Sequence, residues 1–301
     1  MGYFALRTSE KASERNQGRG LDELFPFILP ERNGLVAVIG GYFDESMRTQ
    51  GNEPICVGGI LFKPSGYKKF KRQWNKNVLW LRGHRFKHFH MTDLCAGKQE
   101  YEGVSIDDRV TVLDNALNAI SENMFGALAV HFDQAEFERK APTDWPQQYG
   151  SIYTAACEMC LQVTGYWLHN GNVPMDVLYV FERGHRFQDE ADRLLSAIGN
   201  VPEARQRFRY RNHVFEPKTE MGLQAADFYA WMITKAIISS GSVPSAFRPF
   251  VGPVTRWVKA NNARCRLHQF TGDKLDRFFA EFYNNAPLVQ AYIGRHKRAF
   301  R

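Results

Sequence analysis

No stretch of the chain approaches the roughly 20 consecutive apolar residues that a membrane-spanning helix needs, and the mean hydropathy is -0.42 over 301 residues. The reading is therefore of a protein with no membrane span. The first twenty residues carry Arg7, Glu10, Lys11, Glu14, Arg15 and Arg19 where a secretory signal would place its apolar stretch, so a cytoplasmic location is expected. Cysteine is scarce. The five present, Cys56, Cys95, Cys157, Cys160 and Cys265, are an odd number, which argues for free thiols against a disulfide framework. The 24 glycines and 13 prolines are scattered and form no linker, so one domain with insertions is expected. With 44% of residues apolar and 24% charged, the composition is that of a globular chain with a real core.

What is present in excess is positive charge, and it is unevenly placed. Residues 1–150 hold 19 Lys and Arg against 19 Asp and Glu, which leaves 39−19=20 basic against 32−19=13 acidic residues in the second half. A sequence pI near 9.1 with that asymmetry points to a polyanionic partner, nucleic acid first. A protein partner is compatible with the same charge, and the oligomeric state is not legible.

Along the chain, Leu35–Phe43 reads as a buried strand ending at Asp44-Glu45, and Ile55–Phe62 as its hairpin partner across a Gly51-Asn52 turn. Gly58-Gly59 marks a bulge or a close backbone approach. Gly66–Leu81 mixes Lys68, Lys69, Lys71 and Arg72 with Phe70, Trp74, Leu79 and Trp80, an amphipathic helix whose basic face is either solvated or a nucleic-acid contact. Further elements are a helix at Asp107–Asn123, a strand at Phe125–Phe132, a helix at Gln147–His169 and a strand at Met175–Phe181 ending at Glu182. A helix at Phe187–Ile198, an alternating strand at Arg205–Phe215 and an apolar helix at Gly222–Ile238 complete the series. This order predicts an α/β fold with a mixed sheet flanked by helices. The expected division is a peripheral segment at 1–34, a domain at 35–240 with a helical insertion at about 64–123, and a C-terminal helical extension at 241–301. The extension is read with helices near Lys274–Tyr283 and Leu288–Ile293 and a basic tail at Arg295–Arg298.

Three acids stand at the ends or in the middle of apolar elements. Asp44 and Glu182 each close a strand, the place where ligand sites collect in open α/β sheets. Asp227 is the sole charged residue between Glu220 and Lys235. A bare buried carboxylate costs several kcal/mol or more, so Asp227 needs a cation, an Arg or Lys from elsewhere or a metal, unless the acid is protonated. Three such carboxylates suit Mg²⁺ or Mn²⁺, hard ions with oxygen ligands, and two-ion sites of this kind cleave phosphodiesters. Glu45 and Glu216 are spare acids. Adjacent strand residues point to opposite faces, so Asp44 and Glu45 share a site only where the strand ends.

The runs Tyr42-Phe43-Asp44-Glu45-Ser46, Phe89-His90-Met91-Thr92-Asp93-Leu94, Phe181-Glu182 and Leu223-Gln224-Ala225-Ala226-Asp227-Phe228 resemble those of a family of bacterial and phage proteins of unknown function with a ribonuclease H-like fold. The resemblance covers about Leu35 to Lys235, and Met47 stands where members often have glycine. It implies a ribonuclease H-like sheet carrying a metal-binding triad of Asp44, Glu182 and Asp227.

His84, His88 and His90 form the densest group of nitrogen ligands. They lack the HExxH spacing of a helical zinc site. His90 is read either as a catalytic group that contacts the scissile phosphate or shuttles a proton, or as a hydrogen-bonded structural histidine. Arg205, Arg207, Arg209 and Arg211 alternate with Gln206, Phe208 and Tyr210, so a strand would set four guanidinium groups on one face, for phosphate or for protection of an edge. Lys218 is placed to reach a metal-bound phosphate or to remain a solvated loop residue. Cys157 and Cys160 have CxxC spacing within an apolar helix and no second pair, so they read as core. The leading expectation is a metal-dependent, nuclease-like hydrolase using Asp44, Glu182, Asp227 and His90. The alternatives are a catalytically inactive binding module and a zinc hydrolase built on the three histidines.

Overall fold

The structure is a computed structural model that describes residues 38–46, 55–145, 150–238 and 245–280. The N-terminal segment, the Gly51-Asn52 turn, the 288–293 helix and the basic tail lie outside the described residues.

Strands β1 (Val38–Ser46) and β2 (Ile55–Phe62) are β-branched and aromatic runs, buried almost throughout, that pair antiparallel. Between β2 and β5 the chain forms helix α1 (Pro64–Gln73), a π-helical turn at Trp74–Val78, the short hairpin β3 (Trp80–Leu81) and β4 (His84–Arg85), then helices α2 (Met91–Ala96) and α3 (Ile106–Asn123). Strand β5 (Met124–Phe132) returns to the sheet, and α4 (Gln134–Lys140) and α5 (Ile152–Asn170) follow. The Ser105 and Ser151 hydroxyls cap α3 and α5 by accepting from the N–H groups of Asp108 and Thr154. Next come β6 (Asp176–Glu182), α6 (Gln188–Gly199), α7 (Pro202–Arg207), β7 (Tyr210–Glu216), α8 (Met221–Ile238), α9 (Arg248–Asn261), β8 (Cys265–Phe270) and a helix at 273–280.

The six long strands form one sheet in the order β7-β6-β1-β2-β5-β8. β1 is parallel to β6, β6 to β7 and β5 to β8, while β2 runs antiparallel to both neighbours. An antiparallel hairpin beside two further parallel strands, with β5 outside β2, is the ribonuclease H-like arrangement, here extended by β8 at one edge. The predicted α/β class is the class found.

Side-chain alternation divides the core into two layers. Ile39, Phe43, Val57, Leu61, Tyr179 and Phe181 face α5 and α6. Tyr42 points the other way, stacks on Tyr67 of α1 and lies under α8. Two glycines let α8 approach the sheet: a Cβ at Gly58 would come within 2.6 Å of the Ala230 backbone, and one at Gly222 within 2.3 Å of the Tyr42 ring. Gly58 of the β2 pair therefore marks a close backbone approach, one turn along α8 from Asp227, while Gly59 makes room for the Phe43 ring.

Two expectations are corrected. Arg205–Phe215 is not one strand: Pro202 opens helix α7, Arg209 has φ +51, and strand pairing begins only at Tyr210. Proline at the first helical position favours a helix over the period-two pattern. Arg205 and Arg207, two residues apart on a helix, therefore point to opposite sides, and the four guanidinium groups share no face. The C-terminal segment is also more than helical, because Cys265–Phe270 adds a parallel edge strand to the sheet beside β5.

Candidate metal centre

The parallel pairing of Phe43 with Phe181 puts the next residues, Asp44 and Glu182, side by side at the C-terminal edge of the sheet. Asp44 is 1% exposed, and neither of its carboxylate oxygens makes a hydrogen bond. Burial above all, then Glu182 and Asp227, pushes its carboxyl well above the ordinary carboxylate range. Burial also works to raise Glu182, but Asp44 and the Lys218 ammonium hold it below its ordinary value.

Glu45, a spare acid by sequence, joins the site. Its strand ends one residue later, at Ser46, and there the side chain rounds the sheet edge, so that Asp44, Glu45 and Glu182 each bring an oxygen within 4.8 Å of the others. Burial, then the neighbouring Glu182, pushes Glu45 up to about 7. Glu216, the register partner of Glu182 on β7, is not part of this group.

Asp227 comes down from α8, 7% exposed, and its Oδ2 accepts from the Met91 N–H at 2.8 Å. Lys218 ties it to the strand acids. The Lys218 Nζ lies 3.2 Å from Asp227 Oδ1, 3.3 Å from Asp44 Oδ2 and 3.5 Å from Glu182 Oε2. Burial works to lower the ammonium's pKa, but Asp227, Asp44 and Glu182 outweigh it and raise the value above the ordinary lysine range. Of the two cation sources that Asp227 allowed, the structure thus shows a lysine from the loop between β7 and α8.

Gln224, a buried amide one turn before Asp227, fixes this geometry. Its Oε1 accepts from Trp74 Nε1 at 2.8 Å and from the Phe89 N–H at 2.9 Å, while its Nε2 donates to the carbonyls of Lys218 and Thr219, both at 3.3 Å. One side chain therefore clamps the 86–91 segment and the Lys218 loop to the same helix. The signal in the sequence was a lone amide inside an apolar helix, three residues before an acid.

His90 joins the site from α2's N-terminal side. Its Nδ1 is 2.7 Å from Asp93 Oδ2, and its Nε2 is 3.7 Å from Asp227 Oδ1. His84 is exposed on the β3–β4 hairpin and His88 pairs with Glu100 at 3.3 Å, so the three histidines do not converge and the zinc-site expectation is corrected. Among the described residues the group of acid, histidine and cysteine side chains able to share an ion is Asp44, Glu45 and Glu182. Cys157 and Cys160 are buried in α5, where burial pushes both thiols up, in keeping with a packing role.

A hard divalent ion fits this donor set. The candidate ligands are carboxylate oxygens, and those of Asp44 are buried at the sheet edge with the Lys218 ammonium 3.3 Å from Oδ2 as their cation. Among the described residues no helix is long and apolar enough to cross a membrane. No family model and no curated protein matches the chain. A solved structure titled as the PCNA:RNase HII complex from Archaeoglobus fulgidus is similar over 74% of this chain and 90% of that chain, at 10% identity and a TM-score of 0.35. The ribonuclease H-like assignment rests on the strand order and directions of this chain.

Proposed function

We propose that the protein is a divalent-metal-dependent hydrolase of phosphodiester bonds, with Asp44, Glu182 and Asp227 holding Mg²⁺ or Mn²⁺ and Glu45 adjoining them. The observation that carries this reading is the convergence of Asp44, Glu182 and Asp227 on a single cation, the Lys218 ammonium. Asp44, Glu182 and Asp227 would hold the ion, and the chemistry it would supply there is a lowered pKa for an attacking water and charge stabilisation for the leaving oxygen.

The chain's own residues divide the remaining work. Asp44 and Glu182, fixed by the register of β1 and β6, set the floor of the site. The Asp93 carboxylate orients the His90 ring through Nδ1, which leaves Nε2 directed at the acids as a proton donor or acceptor. Lys218 offers its ammonium to a phosphate oxygen. Nucleic acid is the substrate class. The resemblance in the Tyr42–Ser46 and Leu223–Phe228 runs supports membership of the ribonuclease H-like bacterial and phage family, because two of the three acids lie in those runs.

The second reading, an inactive binding module on the same fold, is favoured by one observation: the Lys218 ammonium already pairs with all three acids. Mn²⁺ calorimetry on wild type and on Asp227→Asn, each checked for folding by circular dichroism, separates the two, followed by cleavage assays on DNA and RNA with Mg²⁺ and Mn²⁺. Binding and cleavage in wild type, both lost in a folded Asp227→Asn, are the expected results. Cleavage by Asp227→Asn at the wild-type rate overturns the triad, and wild type that neither binds metal nor cleaves leaves the binding module.

A further inference from the structure

Between Glu53 and Asp93 the chain contains nine Lys and Arg residues and no acid. Helix α1, the π-helical turn and the β3–β4 hairpin carry, or lie within two residues of, all nine. Apolar side chains fasten this segment inward: Tyr67, Phe70, Trp74 and Phe89 are fully buried. Its polar anchors sit beside the metal centre. Tyr67 donates to Glu220, two residues beyond Lys218, and the segment runs on to Met91, whose N–H is bonded to Asp227.

The outward side is cationic. Lys68, Lys69, Arg72, Lys76, Arg85 and Lys87 are exposed, and none of the six pairs with a carboxylate among the described residues. Lys69, Arg72 and Lys76 line a surface depression of about 340 Å³ together with Asn77 and with Gln73, whose amide donates to Glu122, so three cations and the Asn77 amide offer N–H donors there. Next in the chain, the hairpin turns at Arg82 and Gly83, both at positive φ, and sets Trp80 directly across from Arg85. Trp80 is 51% exposed, a large apolar surface with a guanidinium beside it.

A row of unpaired cations that ends on an exposed indole is matched by one chemistry, a phosphate backbone with bases that can stack. We infer that residues 63–87 form the nucleic-acid-binding surface of the protein, with the 69/72/76 cations holding phosphates and Trp80 stacking a base of a single strand. This replaces the four-arginine strand face that the sequence suggested. The inference rests on the phosphodiesterase reading for its use but not for its test, since binding needs no metal.

Fluorescence anisotropy with labelled 20-nucleotide single-stranded DNA and RNA, in EDTA and across a salt series, tests it on the full chain. The combined Lys69→Ala, Arg72→Ala, Lys76→Ala variant should bind at least tenfold more weakly at low salt and lower the log–log salt slope by about two, at roughly 0.7 per lost phosphate contact on single strands. All three positions are exposed, and an unchanged melting temperature verifies the fold. Trp80→Ala should weaken binding several-fold with the salt slope unchanged. Wild-type affinity in the triple variant, absence of strand binding by wild type, or binding to phosphatidylserine vesicles in place of nucleic acid would each overturn the inference. Strand binding in EDTA is scored on wild type and the surface variants, apart from cleavage. Strand binding without cleavage under Mg²⁺ or Mn²⁺ would therefore sink the hydrolase reading and leave this surface standing, and cleavage with an unaffected triple variant would do the reverse.

Discussion

The Nζ of Lys218 lies 3.2 Å from Oδ1 of Asp227, and the same ammonium is within 3.5 Å of Asp44 and Glu182. A lysine in that position offsets part of the charge that a divalent ion would offset in the loaded protein: it holds Glu182 low, while burial still pushes Asp44 and Glu45 up. The two cations compete for the same oxygens. Replacement by the uncharged, similarly long Met is therefore expected to act in opposite directions on two observables. Lys218→Met should melt at a lower temperature than wild type in EDTA, because removing one partner of a buried ion pair costs about 3 kcal/mol or more. It should also bind Mn²⁺ at least tenfold more tightly by calorimetry. Equal Mn²⁺ affinity in the two proteins would show that the ammonium does not oppose the ion.

Gln224 is expected to matter to the site without touching it. Gln224→Leu leaves the Trp74 Nε1–H and the Phe89 N–H without their acceptor in a buried layer, and each orphaned donor costs about 1–3 kcal/mol. The variant should lose roughly 2–5 kcal/mol in urea unfolding. It should also bind Mn²⁺ more weakly than wild type, since the Lys218 loop and the segment that donates to Asp227 are both released. Normal stability in Gln224→Leu would mean that these donors find other acceptors.

What could be read from the sequence follows from how local each signal was. Asp44 and Glu182 end runs of strand residues and Asp227 interrupts an apolar helix, so each is visible within a short window of sequence. The partner of Asp227 was not, because Lys218 meets it only when the loop after β7 folds back over the sheet edge. Glu45 was set aside on strand alternation, and that rule lapses where β1 stops. The arginine alternation does not make a strand because Val201-Pro202 starts a helix just before Arg205, and Pro at the first helical turn outweighs the period-two pattern. Strand β8 escaped notice because it is an edge strand half open to solvent: Arg266, Leu267 and Gln269 are exposed, and no apolar run announces it.

Gly58 is expected to be intolerant of even one methyl group. A Cβ there would lie 2.6 Å from the Ala230 nitrogen and 2.7 Å from its Cα, both backbone atoms of α8 that no rotamer change can move aside. Gly58→Ala must lift the helix that carries Asp227. A loss of about 1–3 kcal/mol from overpacking is expected in thermal unfolding, together with weaker Mn²⁺ binding. A folded variant of wild-type stability and Mn²⁺ affinity would show that this contact does not set the position of Asp227.

Glu158 provides a pH test away from the metal centre. It is 6% exposed on α5, its Oε2 has no hydrogen-bond partner, and burial pushes its carboxyl up to about 7, against the lesser opposing effects of Gln162 and Arg207. An acid whose folded pKa is raised takes up its proton more readily in the folded state. Its contribution is therefore fully present below the unfolded value near 4.5 and lost as pH rises to about 7. The displacement is worth about 3 kcal/mol at roughly 1.36 kcal/mol per unit. Glu158→Gln keeps the shape and removes the titration, so the stability of the variant minus that of wild type, from urea unfolding in EDTA, should rise by about 3 kcal/mol between about pH 4 and pH 8. A difference that stays flat across that range would show that Glu158 is ionised in the folded protein at about pH 5 and has a cation partner, for which Arg207 is the nearest candidate in charge.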